Sequence, residues 1–114
     1  MKTASLTNNV EYHETRPTIQ VLLETETGKE IRIVFKKDQI MKEHKTPFPI
    51  VVEIFEGSMD FGVNGELHSL NKGDLIALEG GVPHDLRATN DSIVRLSLNK
   101  ADSAKRVKKV AQNS

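Results

Sequence analysis

The sequence predicts an all-β barrel, and three observations carry the prediction. Between Ile19 and Leu98, short runs rich in β-branched residues alternate apolar with polar side chains, the period-two signature of half-buried strands. Turns built from Gly, Asn and Asp separate these runs at short intervals, as a sandwich or barrel requires. A helical pattern enters only after Ala101.

Residues 1–18 are polar and aperiodic apart from Tyr12, and are expected to be loose unless they add an edge strand. Ile19 to Glu24 and Glu30 to Phe35 read as strands joined through Glu26-Thr27-Gly28-Lys29, a turn with glycine where positive φ is cheap. Gln39 to Thr46 reads as a third strand, stopped by Pro47-Phe48-Pro49, because proline removes a ladder donor and constrains its neighbour. Ile50 to Glu56 runs to Gly57, and Met59 to Val63 meets Glu66 to Leu70 through Asn64-Gly65, the strongest hairpin signal in the chain. After Asn71-Lys72-Gly73 come Asp74 to Leu78, the break Glu79-Gly80-Gly81, then His84 to Ala88 and Ser92 to Leu98, about nine strands in all. Val52, Ile54, Met59, Phe61, Leu70 and Ile76 fall on the core side, while parity turns Val51 and Phe55 outward. The barrel is thus expected over residues 19–100 and a polar, basic tail over 101–114. In that tail Ser103 to Val110 carries a weak helical pattern with Lys105, Arg106, Lys108 and Lys109. A solvated terminal helix or frayed end is the expected outcome, with a nucleic-acid tail as the alternative.

With 114 residues the chain has the length of one domain. Hydrophobic residues at 37% and aromatics at 4% make a lean core, so a homodimer that covers outward apolar residues is expected. Sixteen basic side chains cancel sixteen acidic ones, leaving no net field to gather nucleic acid or anionic lipid. The chain has no cysteine, which excludes disulfides, thiolate metal sites and cysteine nucleophiles. Met1 to Val10 has no apolar run of the signal-peptide kind, and no window approaches a membrane span. The expectations are a cytoplasmic protein without nucleic-acid or membrane partners.

Two histidines stand in comparable places, His44 ahead of Gly57 and His84 just after Gly73-Asp74. This arrangement resembles the cupin superfamily, whose first motif is G-x(5)-H-x-H-x(3,4)-E-x(6)-G and whose second is G-x(5)-P-x-G-x(2)-H-x(3)-N. Aligned on Gly57, the first motif places its histidines at His44 and Thr46, its glutamate at Ile50 and its opening glycine at Asp38. Aligned on Gly73, the second places its proline at Glu79, its glycine at Gly81, its histidine at His84 and its asparagine at Ala88. Fifteen residues, Ser58 to Lys72, lie between the motifs, the shortest spacing the family uses. The most specific piece is Gly73-Asp74-Leu75-Ile76-Ala77-Leu78 followed by Gly81-Val82-Pro83-His84. The resemblance implies a double-stranded β-helix, or jelly-roll, barrel with a short C-terminal helix added.

In cupins the two first-motif histidines, the glutamate and the second-motif histidine point into the barrel and hold one divalent metal. Here His44 and His84 remain, and Thr46 and Ile50 occupy the other two places. Two imidazoles alone should hold Ni, Zn, Fe or Mn only weakly, since such sites take three or four donors. No neighbour restores the set: Glu53 lies an odd number of residues from Ile50 and Glu43 fails the same test against His44, while Val51 is no ligand. Lys42 is expected to share the face of His44, where its cation would oppose a metal and attract a carboxylate or phosphate. Thr46-Pro47-Phe48-Pro49 reads as a stiff lip over the pocket mouth with Phe48 as an apolar wall, or simply as a rigid turn. The expected pocket therefore comprises His44, His84, Thr46, Lys42, Ile50 and Phe48, with His44 and His84 as the metal-ligating pair. His68 is expected at the surface, and His13 has no assignable role.

No Ser-His-Asp order, phosphate-cradling glycine loop or inward carboxylate pair is present to suggest a hydrolase or nucleotide site. The sequence thus favours a barrel that binds a small polar or anionic ligand with weak or absent metal binding. A metal-dependent enzyme of the dioxygenase or isomerase kind, with an incomplete two-His site, is the second reading. A dimeric interaction protein with an inert barrel is the third.

Overall fold

The computed structural model describes residues 1–114 as nine strands and one helix. The strands are β1 (Thr18–Glu24), β2 (Gly28–Phe35), β3 (Ile40–His44), β4 (Ile50–Glu56), β5 (Ser58–Val63), β6 (Glu66–Asn71), β7 (Leu75–Leu78), β8 (His84–Ala88) and β9 (Ser92–Asn99). They form two sheets, ordered β1-β2-β9-β4-β7 and β3-β8-β5-β6, with every pair antiparallel. Alternation aims one face of each sheet at the other, so Ile31, Ile33 and Phe35 of β2, Val52 and Ile54 of β4, and Met59 and Phe61 of β5 share one core. Leu70 and Ile76 pack against it while partly exposed, and Val51 faces out with 39% of its surface accessible.

The chain passes from one sheet to the other at Gly57, between β4 and β5. Its φ of +88° and the approach of the Asp91 carbonyl and the Ser92 hydroxyl leave no room for a β-carbon, so only glycine turns this corner without strain. Asn64 and Gly65 both take positive φ, 53° and 78°, and close the two-residue β5–β6 hairpin, as a type I′ turn demands.

Three segments depart from the sequence-based expectation. Residues 1–17 add no strand to a sheet edge. They are tied to the barrel by Arg32, 3% exposed, which donates to the carbonyls of Ser5, Asn8 and Asn9 and to Gln20 Oε1. The third strand ends at His44, which leaves Thr46 in the connection to β4. The C-terminal stretch is no solvated end. It forms helix α1 (Ala104–Gln112), which buries Val107 and Ala111 in the core and packs on β1 and β3. Ser103 caps its N-terminus, its hydroxyl accepting from the Arg106 N–H.

Candidate functional site

His44 is the last residue of β3 and His84 the first of β8, and antiparallel pairing sets them directly opposite one another. Their ring centroids are 4.3 Å apart with the rings inclined at 62°. His84 also stacks on Phe61 at 5.6 Å. Each ring is held by its own backbone: Nδ1 of His44 lies 2.6 Å from the Lys42 carbonyl, and Nδ1 of His84 lies 2.9 Å from the Val82 carbonyl. A carbonyl only accepts, so both rings carry the proton on Nδ1 and present the Nε2 lone pair. Burial pushes the His44 pKa down to about 4. The Lys42 carbonyl resists, while His84 and Arg106 lower it further. Burial likewise lowers that of His84, with Arg106 adding to the effect. At neutral pH the pair consists of two uncharged acceptors.

The space beside them is a cavity of about 20 Å³, room for one water molecule. Its wall is mainly apolar, with Ile50 and Leu86 beside the histidines, and α1 supplies Arg106 and Val107. Arg106 is the single charged residue in that wall. Its Nε and Nη2 grip the Asp102 carboxylate at 2.8 and 3.0 Å, a bidentate geometry that fixes the guanidinium plane. Asp102 itself stands outside the wall, is 4% exposed, and also accepts from the Thr46 hydroxyl at 2.6 Å and the Ser103 N–H. Burial alone would raise the Asp102 pKa. The hydrogen bonds from Arg106, Thr46 and Ser103 outweigh it and hold the carboxyl below its ordinary value.

Of the residues expected in the pocket, the structure brings together His44, His84 and Ile50. Lys42 lies elsewhere. Met41 pairs with Leu86 and His44 with His84, so β3 carries one extra residue at a bulge. The parity count from His44 therefore fails, and Lys42 and Glu43 both face outward. Thr46 is buried but spends its hydroxyl on Asp102 rather than on the cavity. Phe48 is half-buried and not part of the cavity wall. Arg106, Val107 and Asp102 were not expected from the sequence. The usable signal was the spacing of Ala104, Val107, Val110 and Ala111 behind the Asp102-Ser103 cap, a helix with one apolar face. His68 is exposed beside Glu66, and His13 Nδ1 accepts from the Thr15 N–H outside the barrel.

The donors present do not fit a divalent metal. Two Nε2 atoms are available, Thr46 is turned to Asp102, Ile50 is apolar, and no group of three or more His, Cys, Asp or Glu converges anywhere in the chain. A fixed guanidinium in the same wall adds repulsion to the shortage of donors.

No protein-family model matches the sequence and no curated protein matches it. Solved structures match the fold closely. An RmlC-like cupin from Desulfovibrio desulfuricans superposes with a TM-score of 0.80 at 22% identity, over 87% of this chain and 96% of its own. A conserved protein of unknown function from Streptococcus pyogenes gives 0.74 at 22% identity, over 90% of each chain. A protein with a double-stranded β-helix domain from Klebsiella pneumoniae gives 0.75 at 19% identity, over 87% of this chain and 89% of its own. The architecture is the double-stranded β-helix of the cupins.

Proposed function

We propose that this cupin-fold chain binds a small anionic organic molecule inside its barrel, without a tightly held metal. The observation that carries the reading is the composition of the cavity wall, in which one guanidinium and two imidazole Nε2 acceptors stand in an apolar surround. Arg106, whose Nε and Nη2 go to Asp102 and whose Nη1 is left over, calls for an anionic oxygen, the imidazoles call for an O–H or N–H donor, and the apolar side chains call for a short carbon frame. Small hydroxycarboxylates carry all three groups. Because the cavity has room for one water, a ligand of several carbons enters only as lining side chains shift, and binding energy must cover that rearrangement.

Thermal-shift titration of the untagged protein with glycolate, lactate and acetate, and with methylammonium as the cationic control, tests this reading. A ligand at about 100 times its Kd stabilises the folded state by about 2.7 kcal/mol. The hydroxycarboxylates should therefore raise Tm, acetate less and methylammonium not at all, and His84→Ala should abolish the shift. No shift with any carboxylate up to its solubility would end the reading.

A further inference from the structure

We propose that Arg106 adds a charge barrier against divalent metal at the His44–His84 pair, beyond the shortage of donors, so that the C-terminal helix sets the sign of charge the barrel accepts. The pair supplies two of the three or four donors a divalent cation takes. The rings lie opposite each other across β3 and β8, and each Nδ1 is anchored to a backbone carbonyl. That anchoring fixes the tautomer and aims the other nitrogen, as outer partners of metal-bound histidines do. Helix α1 then brings a permanent cation into the same wall. A guanidinium cannot lose its charge in a protein, so it cannot make way by deprotonation.

The fixing of Arg106 is what makes the exclusion effective. A solvated arginine would swing aside for an incoming metal ion, but this one is gripped through two nitrogens by Asp102. Asp102 in turn is anchored by Thr46 and by the Ser103 N–H at the start of α1. The same contacts occupy the carboxylate of Asp102, whose oxygens already accept from Arg106, Thr46 and Ser103. Thr46 thus acts at a distance, holding the aspartate that holds the arginine. The inference deepens the anion-binding reading above by naming the residue that decides against cations.

Its test uses metal alone, by calorimetric titration of the untagged, chelator-treated full chain with NiCl₂ and ZnCl₂. The parent should take up neither at the His pair. Arg106→His removes the cation and offers a third imidazole from α1, and should bind one equivalent with affinity raised by a factor on the order of 100. Adding His84→Ala should remove that gain. Asp102→Asn with Arg106→His keeps an acceptor for Thr46 and avoids an orphaned carboxylate, should the single variant fail to fold by circular dichroism. Arg106→Lys against Arg106→Gln isolates charge from donor count, and glutamine should bind nickel about tenfold more tightly than lysine.

A parent that already binds one metal per chain as tightly as Arg106→His, and loses it on His84→Ala, would overturn the proposal. So would folded variants with no gain. The outcome is separable from that of the ligand reading. A metal gain in the variants with no carboxylate stabilising the parent would remove only the ligand reading, and carboxylate stabilisation without a metal gain would remove only this one.

Discussion

Thr46→Val probes the anchor on which the position of α1 depends. Thr46 is 3% exposed, and its hydroxyl donates to Asp102 Oδ2 at 2.6 Å. Valine keeps the shape and removes the donor, leaving a buried carboxylate with one partner fewer. A hydrogen bond to a charged group contributes about 1.5–3 kcal/mol, and the middle of that range, about 2 kcal/mol, is the expected loss. For a domain of this size each kcal/mol moves Tm by about 4 °C, so the variant should melt about 8 °C below the parent at pH 7. Thr46→Ser retains the donor and should recover most of the difference. The pH dependence supplies a second check. The Asp102 pKa is held below its ordinary 3.8 in the folded state, so its stabilisation is complete above that value and is lost as pH falls through the folded one. The gap between parent and Thr46→Val should therefore persist at pH 7 and narrow below pH 3.8. Differential scanning calorimetry across that range reads both quantities. A variant melting within about 1 °C of the parent at pH 7 would refute the reasoning.

Three further expectations follow from the same structure. Because the folded state holds His44 down to about 4 and lowers His84 as well, the unfolded chain takes up protons first as pH falls below 6.5. Denaturant-measured stability should decline from pH 6.5 toward pH 4, and less steeply in His44→Asn; equal slopes would contradict the neutral-pair assignment. Arg32→Met should loosen residues 5–9 from the barrel, since Arg32 supplies the ties to Ser5, Asn8 and Asn9, and chymotrypsin should then cut after Leu6 faster while the barrel stays intact. Val51 and Leu75, 39% and 63% exposed on adjacent strands β4 and β7, should be covered by a second copy of the chain. Light scattering should then return twice the 12.7 kDa of one chain, and a monomer at micromolar concentration would exclude the dimer.

Local rules were enough to make most of the barrel legible in the sequence. Alternation placed Val52, Ile54, Met59 and Phe61 in the core, and Asn64-Gly65 marked its hairpin, because a strand's facing and a turn's handedness are settled by residues adjacent in the chain. The two histidines were legible for the same reason, each lying at a strand end beside a glycine-marked turn. Tertiary structure decided the remainder of the site. The face of Lys42 depended on a bulge in β3 that exists only in its pairing with β8, so counting along one strand gave the wrong side. The role of Thr46 depended on Asp102, 56 residues away. The basic C-terminal stretch looked like a solvated end, because four cations dominate its composition. What makes it a wall of the cavity is the apolar stripe through Val107 and Ala111, which has no favourable place until the barrel offers a surface to bury it. Sequence alone thus determined where the barrel's strands and the paired imidazoles lie, whereas long-range packing determined that Arg106 lines the same cavity as those imidazoles, because that juxtaposition joins segments with no local sequence relation.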